Sequence, residues 1–174
     1  MGVELVAADS LALKILRVTP LIATTILLVN RLAQYFALSS FLPPYTSTKK
    51  VDHVGAALQH WLQTVVPRIW TGVIGIVLIA RVALILNLFV HTEDLAGTYA
   101  RLLYGIGLFF SFAHLFIAPT MLKFETRMMS PDTIPEVTLE LLAGWLKINN
   151  VRIWVVDVPF WVVGVLATLE SCKM

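Results

Sequence analysis

The sequence is poor in charged residues and has a single cysteine, and both shortages exclude classes of function. Only 14% of its 174 residues are charged, against about 25% in a typical soluble domain. A formal net charge of +2 provides no basic patch, so no nucleic acid is expected as a partner. Cys172 is the only cysteine, so the chain cannot form an internal disulfide. Apolar residues are abundant instead, with a mean hydropathy of +0.82, which is typical of membrane proteins.

The short motifs that hold metals and phosphates are also missing. The chain has no Cys-x-x-Cys, no His-Glu-x-x-His and no glycine-rich phosphate loop. No facial triad of metal ligands is visible either. We therefore predict an activity that does not use a resident metal.

Four apolar stretches are long enough to cross a bilayer, which takes about 20 mainly apolar residues. They run over about 11–41, 54–90, 98–122 and 136–169, separated by FLPPYTSTKK, HTEDLAG and KFETRMMSPDTIP. The runs are continuous, whereas the strands of a membrane barrel alternate. We predict an all-α fold, an antiparallel four-helix transmembrane bundle, forming one domain over residues 1–174.

Ionisable side chains lie inside these apolar stretches, where a charge costs at least ~2.5–3.5 kcal/mol. The residues are Arg31, Arg81, His114, Arg152 and Asp157. In an up-down bundle, the order of the helices brings Arg31, Arg68, His114 and the polar residues at 149–157 to a similar depth, toward the loops at about 42–53 and 123–135, while Arg81 lies nearer mid-span. We expect them to meet at one internal polar site.

Helical spacing assigns these residues to faces. On the third helix, Tyr104, Ser111 and His114 share one broad face. The fourth helix has two opposite stripes: Trp145, Asn149 and Arg152 on one, and Asn150, Trp154, Asp157 and Trp161 on the other. This spacing predicts that Asp157 and Arg152 point in different directions.

Each of these residues also has a purely structural interpretation. Arginines near the ends of a span extend to lipid headgroups, and Asp157 could simply pair with one of them. His114 could bond a backbone carbonyl, while tryptophans and asparagines often pack or bridge helices in membranes.

Taken together, two or three arginines and one carboxylate near the centre favour a ligand that is acidic or becomes anionic, because an uncompensated buried cation is costly. His114 would exchange a proton near neutral pH. Tyr104 would assist by hydrogen bonding, and Arg31, Arg81 or Arg152 would stabilise an enolate or phenolate oxygen. The pattern points to proton abstraction next to a carbonyl.

The run GWLKINNVRIW contains Trp145-x-x-x-Asn149-x-x-Arg152. It resembles the Trp-x-x-x-His/Asn-x-x-Arg segment that opens the last helix of the DUF1772 family. The run YGIGLFFSFAHLFIAPTMLKFE is similar to that family's glycine-rich third span, so the resemblance covers about residues 101–169. Asn149 stands where many members have histidine, and an asparagine cannot act as a base.

The resemblance implies an enzyme related to the fungal anthrone oxygenases, small membrane proteins thought to oxidise an anthrone with O₂ and without metal or flavin. It carries Trp145, Asn149 and Arg152 over as site residues; the assignment of His114 comes from the residues alone. The resemblance therefore implies a reaction that needs no cofactor.

The prediction is a multi-pass enzyme of the endoplasmic reticulum or another endomembrane that tailors a secondary metabolite. It would act as a monooxygenase, or catalyse a related proton-transfer isomerisation, on a hydrophobic phenolic or polyketide-derived substrate entering from the lipid. His114, Arg152 and Arg31 are the predicted catalytic residues, and Trp145, Asn149, Arg81, Asp157 and Tyr104 the predicted substrate-binding residues. Other enzymes of the pathway are the expected protein partners.

Two other functions remain open. A non-catalytic membrane scaffold would dock a partner enzyme through the amphipathic segments at 54–66 and 136–149. A small transporter or channel is the third, although four helices are few and the chain has no inverted repeat.

Overall fold

The computed structural model describes residues 2–42, 48–90 and 92–173, the side chains at 2–10, 48–50 and 94 excepted. Its long helices are α1 (Gly2–Ser39), α2 (Thr48–Phe89), α3 (Ala100–Met129), α4 (Pro135–Arg152) and α5 (Val158–Ser171). A π-helical turn, Ile153–Asp157, joins α4 to α5, and a short 3-10 helix, Thr92–Leu95, lies between α2 and α3. The break predicted at Pro43-Pro44 falls outside the described residues.

The predicted all-α architecture is confirmed: the described residues contain helices and no strand. Four helical crossings are long and apolar enough to span a membrane, with α4, the π-helical turn and α5 together forming the fourth. Large apolar side chains cover their outer surface, among them Phe36, Phe89, Phe109 and Phe116. The chain therefore has the apolar exterior that a bilayer requires.

The antiparallel topology follows from contacts near the beginning and end of the chain. Arg17 on α1 donates to the Asn87 side chain on α2 at 2.9 Å. The hydroxyl of Tyr104 on α3 donates to the Arg17 carbonyl at 3.0 Å and lies 3.2 Å from the Ser171 hydroxyl on α5. Arg17 of α1, the end of α2, the start of α3 and the end of α5 thus lie together.

The opposite side of the bundle holds the connection between α3 and α4. Gln63 on α2 donates to the Met129 carbonyl at 2.9 Å, and the Gln59 amide donates to the Ser130 carbonyl. Buried apolar residues near this side form one core cluster that includes Leu58, Leu142 and Trp145. A second core cluster lies closer to the chain termini.

The third crossing is longer than the sequence predicted. Its helix continues through Pro119 to Met129, whereas the predicted end was near residue 122. Proline is tolerated inside membrane helices because neighbouring groups satisfy the freed carbonyl, and Pro20 and Pro67 also lie inside helices. As a result Glu125, which the sequence placed in a loop, is a buried helical residue.

The π-helical turn corrects the predicted face of Asp157. Five residues of α-helix would turn Asp157 about 140° away from Arg152. Here the Val158 N–H donates to the Ile153 carbonyl, five residues back, so the turn is wider. Asp157 and Arg152 are therefore both buried, and the two opposite stripes predicted for this helix are wrong at this position.

Gly55 allows α2 to approach the start of α4, and we expect Gly55→Ala to destabilise the bundle. A Cβ at Gly55 would lie 2.6 Å from the Pro135 Cβ and 2.7 Å from its carbonyl carbon. The helices would have to separate, at a cost of about 1–3 kcal/mol. Thermal unfolding in detergent measures the change. Gly72→Ala is the matched control, because a Cβ there has nothing within 4 Å, and an equal loss in both variants would contradict this account.

Candidate functional site

The four crossings enclose a cavity of about 210 Å³ between α2 and α3, with α1 and α4 behind it. Each crossing contributes one ionisable side chain to its wall: Arg31, Arg81, His114 and Arg152. Most of the remaining lining is aliphatic. The structure thus brings four of the predicted site residues to one chamber. We call Arg31, Arg81, His114, Arg152 and Asp157 the central site.

His114 is held between two acceptors. Its Nε2 lies 2.8 Å from Asp157 Oδ1, and its Nδ1 lies 3.2 Å from the Phe110 carbonyl oxygen, one turn earlier on α3. A carbonyl and an ionised carboxylate only accept hydrogen bonds. A ring protonated on Nε2 donates to Asp157, and a second proton on Nδ1 would donate to the Phe110 carbonyl. The Nδ1 contact is the longer of the two and is the one that a ligand oxygen would more easily replace.

Asp157 also faces Arg152. Arg152 Nε lies 3.4 Å from Asp157 Oδ2, an ion pair whose geometry falls short of a hydrogen bond. Arg152 donates a second, shorter contact of 2.6 Å to Asn149 Oδ1. Asp157 therefore connects His114 on α3 to Arg152 on the fourth crossing, and Asn149 fixes the guanidinium from one turn earlier.

Arg31 and Arg81 reach the chamber from opposite walls. Arg31 donates to Gln34 Oε1 on its own helix at 3.0 Å. Arg81 donates to the Ser111 carbonyl on α3 at 2.8 Å, and its guanidinium carbon lies 4.9 Å from the centre of the Phe112 ring. Both guanidinium groups have a buried Nε without a hydrogen-bond partner in the described part of the chain. Each guanidinium group therefore has a donor that is free to bind a ligand in the chamber.

A second, smaller cavity of about 30 Å³ adjoins the chamber and shares Arg31 and Trp70 with it. Glu125 lies in its wall. Trp70 Nε1 donates to Glu125 Oε2 at 2.7 Å, and Trp145 Nε1 donates to Oε1 at 3.1 Å. Two indoles from α2 and α4 thus hold one buried carboxylate, which places a negative charge beside Arg31.

We expect Glu125→Gln to destabilise the protein, because glutamine has only one oxygen for two indole donors. One N–H would face an amide nitrogen, and leaving a buried donor unsatisfied costs about 1–3 kcal/mol. Thermal unfolding followed by tryptophan fluorescence measures it. Glu140→Gln changes an exposed carboxylate and serves as the control; equal melting temperatures for the two variants would contradict the proposed contact.

One predicted site residue, Tyr104, lies elsewhere, and so do two tryptophans that the sequence placed on the Asp157 stripe. The Tyr104 hydroxyl bonds to the Arg17 carbonyl and to Ser171 near the chain termini, outside the walls of both cavities described above. The prediction that Tyr104 assists the central site is wrong. Tyr104 and His114 share a face of α3, but that face runs the length of the bundle and the two residues lie at different depths along it. Trp154 is 65% exposed, and Trp161 donates to Thr25 at the bundle surface.

Trp145 and Asn149 are buried, as their shared stripe predicted. Trp145 lines the smaller cavity, whereas Asn149 supports Arg152 from behind. Among the described residues, no group of three or more His, Cys, Asp or Glu side chains is arranged to hold a metal ion.

No family model matches the chain, and no solved structure matches it either. Curated relatives do. The chain is 77% identical to "Oxaleimides biosynthesis cluster protein N" of Penicillium oxalicum, over 97% of this chain and 96% of that protein. It is 30% identical to "Epoxidase pydX" of an Acremonium species, over 93% and 97%, and 28% identical to "Epoxidase gkaX" of Penicillium citrinum, over 93% and 98%.

The chain belongs to the family of these biosynthetic proteins. Its membership supports the predicted role in tailoring a secondary metabolite, and the epoxidase names support an oxidative one. The resemblance to the DUF1772 family and the anthrone substrate stay predictions.

Glu125 and Trp70 are the residues of this family member that the sequence interpretation missed as site components. A signal was present, since Glu125 lies eleven residues after His114, three helical turns along the same face. The sequence interpretation ended the third helix near Pro119 and so placed Glu125 in a loop.

Proposed function

We propose that this chain is a membrane-embedded tailoring enzyme that oxygenates a hydrophobic substrate carrying an enolic or phenolic group. The observation that carries the proposal is the central site itself. A His–Asp pair and three arginines line or support one apolar chamber. Such a chamber exchanges a proton with a ligand and stabilises the oxyanion that results.

In the proposed reaction, neutral His114 with its proton on Nε2 turns Nδ1 away from the Phe110 carbonyl, and the substrate loses a proton to Nδ1. Asp157 steadies the resulting imidazolium through Nε2, and Arg31 and Arg152 stabilise the enolate oxygen. The carbanion carbon of this enolate then combines with O₂, forming a C–O bond and, after protonation, a hydroperoxide. Loss of water from the hydroperoxide leaves a new carbonyl. One oxygen atom enters the product, the other leaves as water, and the substrate itself supplies all the electrons.

Charge balance supports an anionic species in the chamber. Among the side chains that the structure describes, three guanidinium groups at the two cavities are matched by two buried carboxylates, Asp157 and Glu125. Electrostatic stabilisation by fixed donors in a water-poor site is often the largest catalytic term. An enolate formed there would complete the charge balance that the protein leaves open.

The test uses microsomes containing the chain, supplied with anthrone under ¹⁸O₂. We expect anthrone loss above that of empty microsomes, with one ¹⁸O atom in each product molecule. A product that is an isomer of the substrate, with unchanged mass, would show that the chain catalyses proton transfer and not oxygenation. Absence of any turnover, together with a stoichiometric partner recovered from detergent, would favour the scaffold function.

A second candidate reaction follows from the names of two relatives, which are epoxidases. Epoxidation of a C=C bond by O₂ places one oxygen atom across the double bond. The other atom leaves as water and takes two electrons from an external reductant, such as a reduced nicotinamide. Microsomes supplied with an enolic substrate bearing an alkene, with and without NADPH, distinguish the two reactions. NADPH-dependent gain of one oxygen without loss of hydrogen identifies the epoxidation.

A further inference from the structure

The chamber opens on the outer surface of the bundle between α2 and α3. Three apolar residues of its wall reach that surface: Ile74 (51% exposed), Leu78 (52%) and Leu115 (53%). They lie in crossings that are long and apolar enough to span a membrane. With the chain embedded as proposed above, this opening faces lipid acyl chains rather than water.

Two polar contacts between α2 and α3 bound this opening. At one end, Arg81 crosses to the Ser111 carbonyl at 2.8 Å. At the other, Trp70 crosses to Glu125 at 2.7 Å. The eleven residues from Trp70 to Arg81 correspond to a rise of about 16 Å along α2. We call this opening the α2–α3 slot; it is a side entrance of fixed length with an apolar rim.

The chamber behind the slot has the opposite chemistry. Arg31, Arg81 and Arg152 line it, and the first two have a buried Nε without a partner among the described residues. Buried polar groups are normally hydrogen-bonded, so these donors call for an acceptor-rich ligand. A volume of about 210 Å³ holds the polar part of such a ligand, while the slot leaves the rest outside.

We propose that the substrate is an amphiphile with an acidic enol or phenol head and a long apolar tail. The head lies in the chamber against the arginines and His114. The tail lies in the α2–α3 slot, against Ile74, Leu78 and Leu115, and continues into the bilayer. This proposal rests on the proposed function for the reaction of the head, but it makes a separate statement about binding.

Photolabelling tests the binding without turnover. The probe is a long-chain acyl cyclohexanedione, an acidic enol, with a diazirine in its acyl chain. It is applied to the full chain in lipid nanodiscs, and the labelled peptides are mapped by mass spectrometry. We expect labelling at the slot residues that excess unlabelled acyl cyclohexanedione abolishes. Labelling of Val29 and Phe36, exposed on α1, should persist under competition, because it reports ordinary lipid contact.

Two variants test the geometry. Leu78→Trp places a bulky ring in the slot, and we expect loss of the competed fraction of label. Leu86→Trp makes the same change two turns along α2 at an exposed residue outside the chamber wall and should leave that fraction unchanged. Slot labelling that the competitor does not reduce would overturn the proposal, and so would an equal effect of both variants on the competed fraction. Monodisperse elution of both variants in detergent confirms that they fold.

The outcomes separate this proposal from the proposed reaction. If the competitor reduces labelling of the slot but enolic substrates consume no O₂, the result supports the slot and contradicts the proposed oxygenation. Turnover of a tailless enol as fast as that of its long-chain analogue, together with labelling that the competitor does not reduce, supports the oxygenation and contradicts the tailed substrate.

Discussion

Replacing His114 with alanine should lower kcat for an enolisable substrate by about 10²–10⁴-fold, the usual contribution of a general acid or base. In the proposed reaction, Nδ1 of His114 accepts the substrate proton. Asp157 supports the ring through the other nitrogen, Nε2. Alanine removes both the proton acceptor and the imidazolium. The measurement is substrate consumption by microsomes at matched protein levels.

Two further variants make this result specific. His114→Gln keeps a hydrogen-bond donor toward Asp157 but has no titratable group, so it should be as inactive as alanine and better folded. His60→Ala changes an exposed histidine on α2 and should retain full activity. Equal rates in the wild type and His114→Ala would remove His114 from the chemistry.

Replacing Asp157 with alanine should lower the free energy of unfolding by about 3–5 kcal/mol, because breaking a buried ion pair leaves its partner charges uncompensated. His114 lies 2.8 Å from one carboxylate oxygen and Arg152 lies 3.4 Å from the other. Without the carboxylate, the Arg152 cation would remain buried beside Arg31. Denaturant or thermal unfolding in detergent measures the loss.

Asp132→Ala is the matched control, because Asp132 is exposed between α3 and α4, and its effect should be within about 0.5 kcal/mol. The triple variant Asp157→Leu, His114→Phe, Arg152→Met removes the buried charges together. It should recover much of the lost stability, because replacing a buried ion pair by apolar residues is often neutral. A triple variant as unstable as Asp157→Ala would show that packing at Asp157, not charge, sets the loss.

The sequence predicted the four crossings and the shared depth of Arg31, His114 and Arg152. These expectations needed only span length, the cost of buried charge and an antiparallel order of helices, and the structure places the three residues around one cavity. For the second helix the sequence placed Arg68 at this depth, but Arg68 is exposed and Arg81 lines the cavity instead.

The residues that were misplaced depend on local backbone geometry that periodicity does not contain. Asp157 faces Arg152 only because a π-helical turn changes the register between them. Glu125 is buried only because α3 continues past Pro119. Tyr104 shares a face with His114, yet about 15 Å of helical rise separates two residues ten positions apart. Helical spacing predicts the direction of a side chain but not its depth along the bundle, so it grouped Tyr104 with a site that lies elsewhere.

The wider turn at Ile153–Asp157 amounts to a single-residue insertion that the rest of α5 absorbs. Deleting one residue there would restore an unbroken α-helix, while Phe160 and Gly164 could keep their places against the neighbouring helices. In that shortened chain the carboxylate would lie four α-helical positions after Arg152, about 40° around the helix, and would stay close to the imidazole. Relatives that are one residue shorter at this point in an alignment therefore retain the acid–imidazole pair with a regular helix, whereas relatives of equal length need the wider turn to retain it.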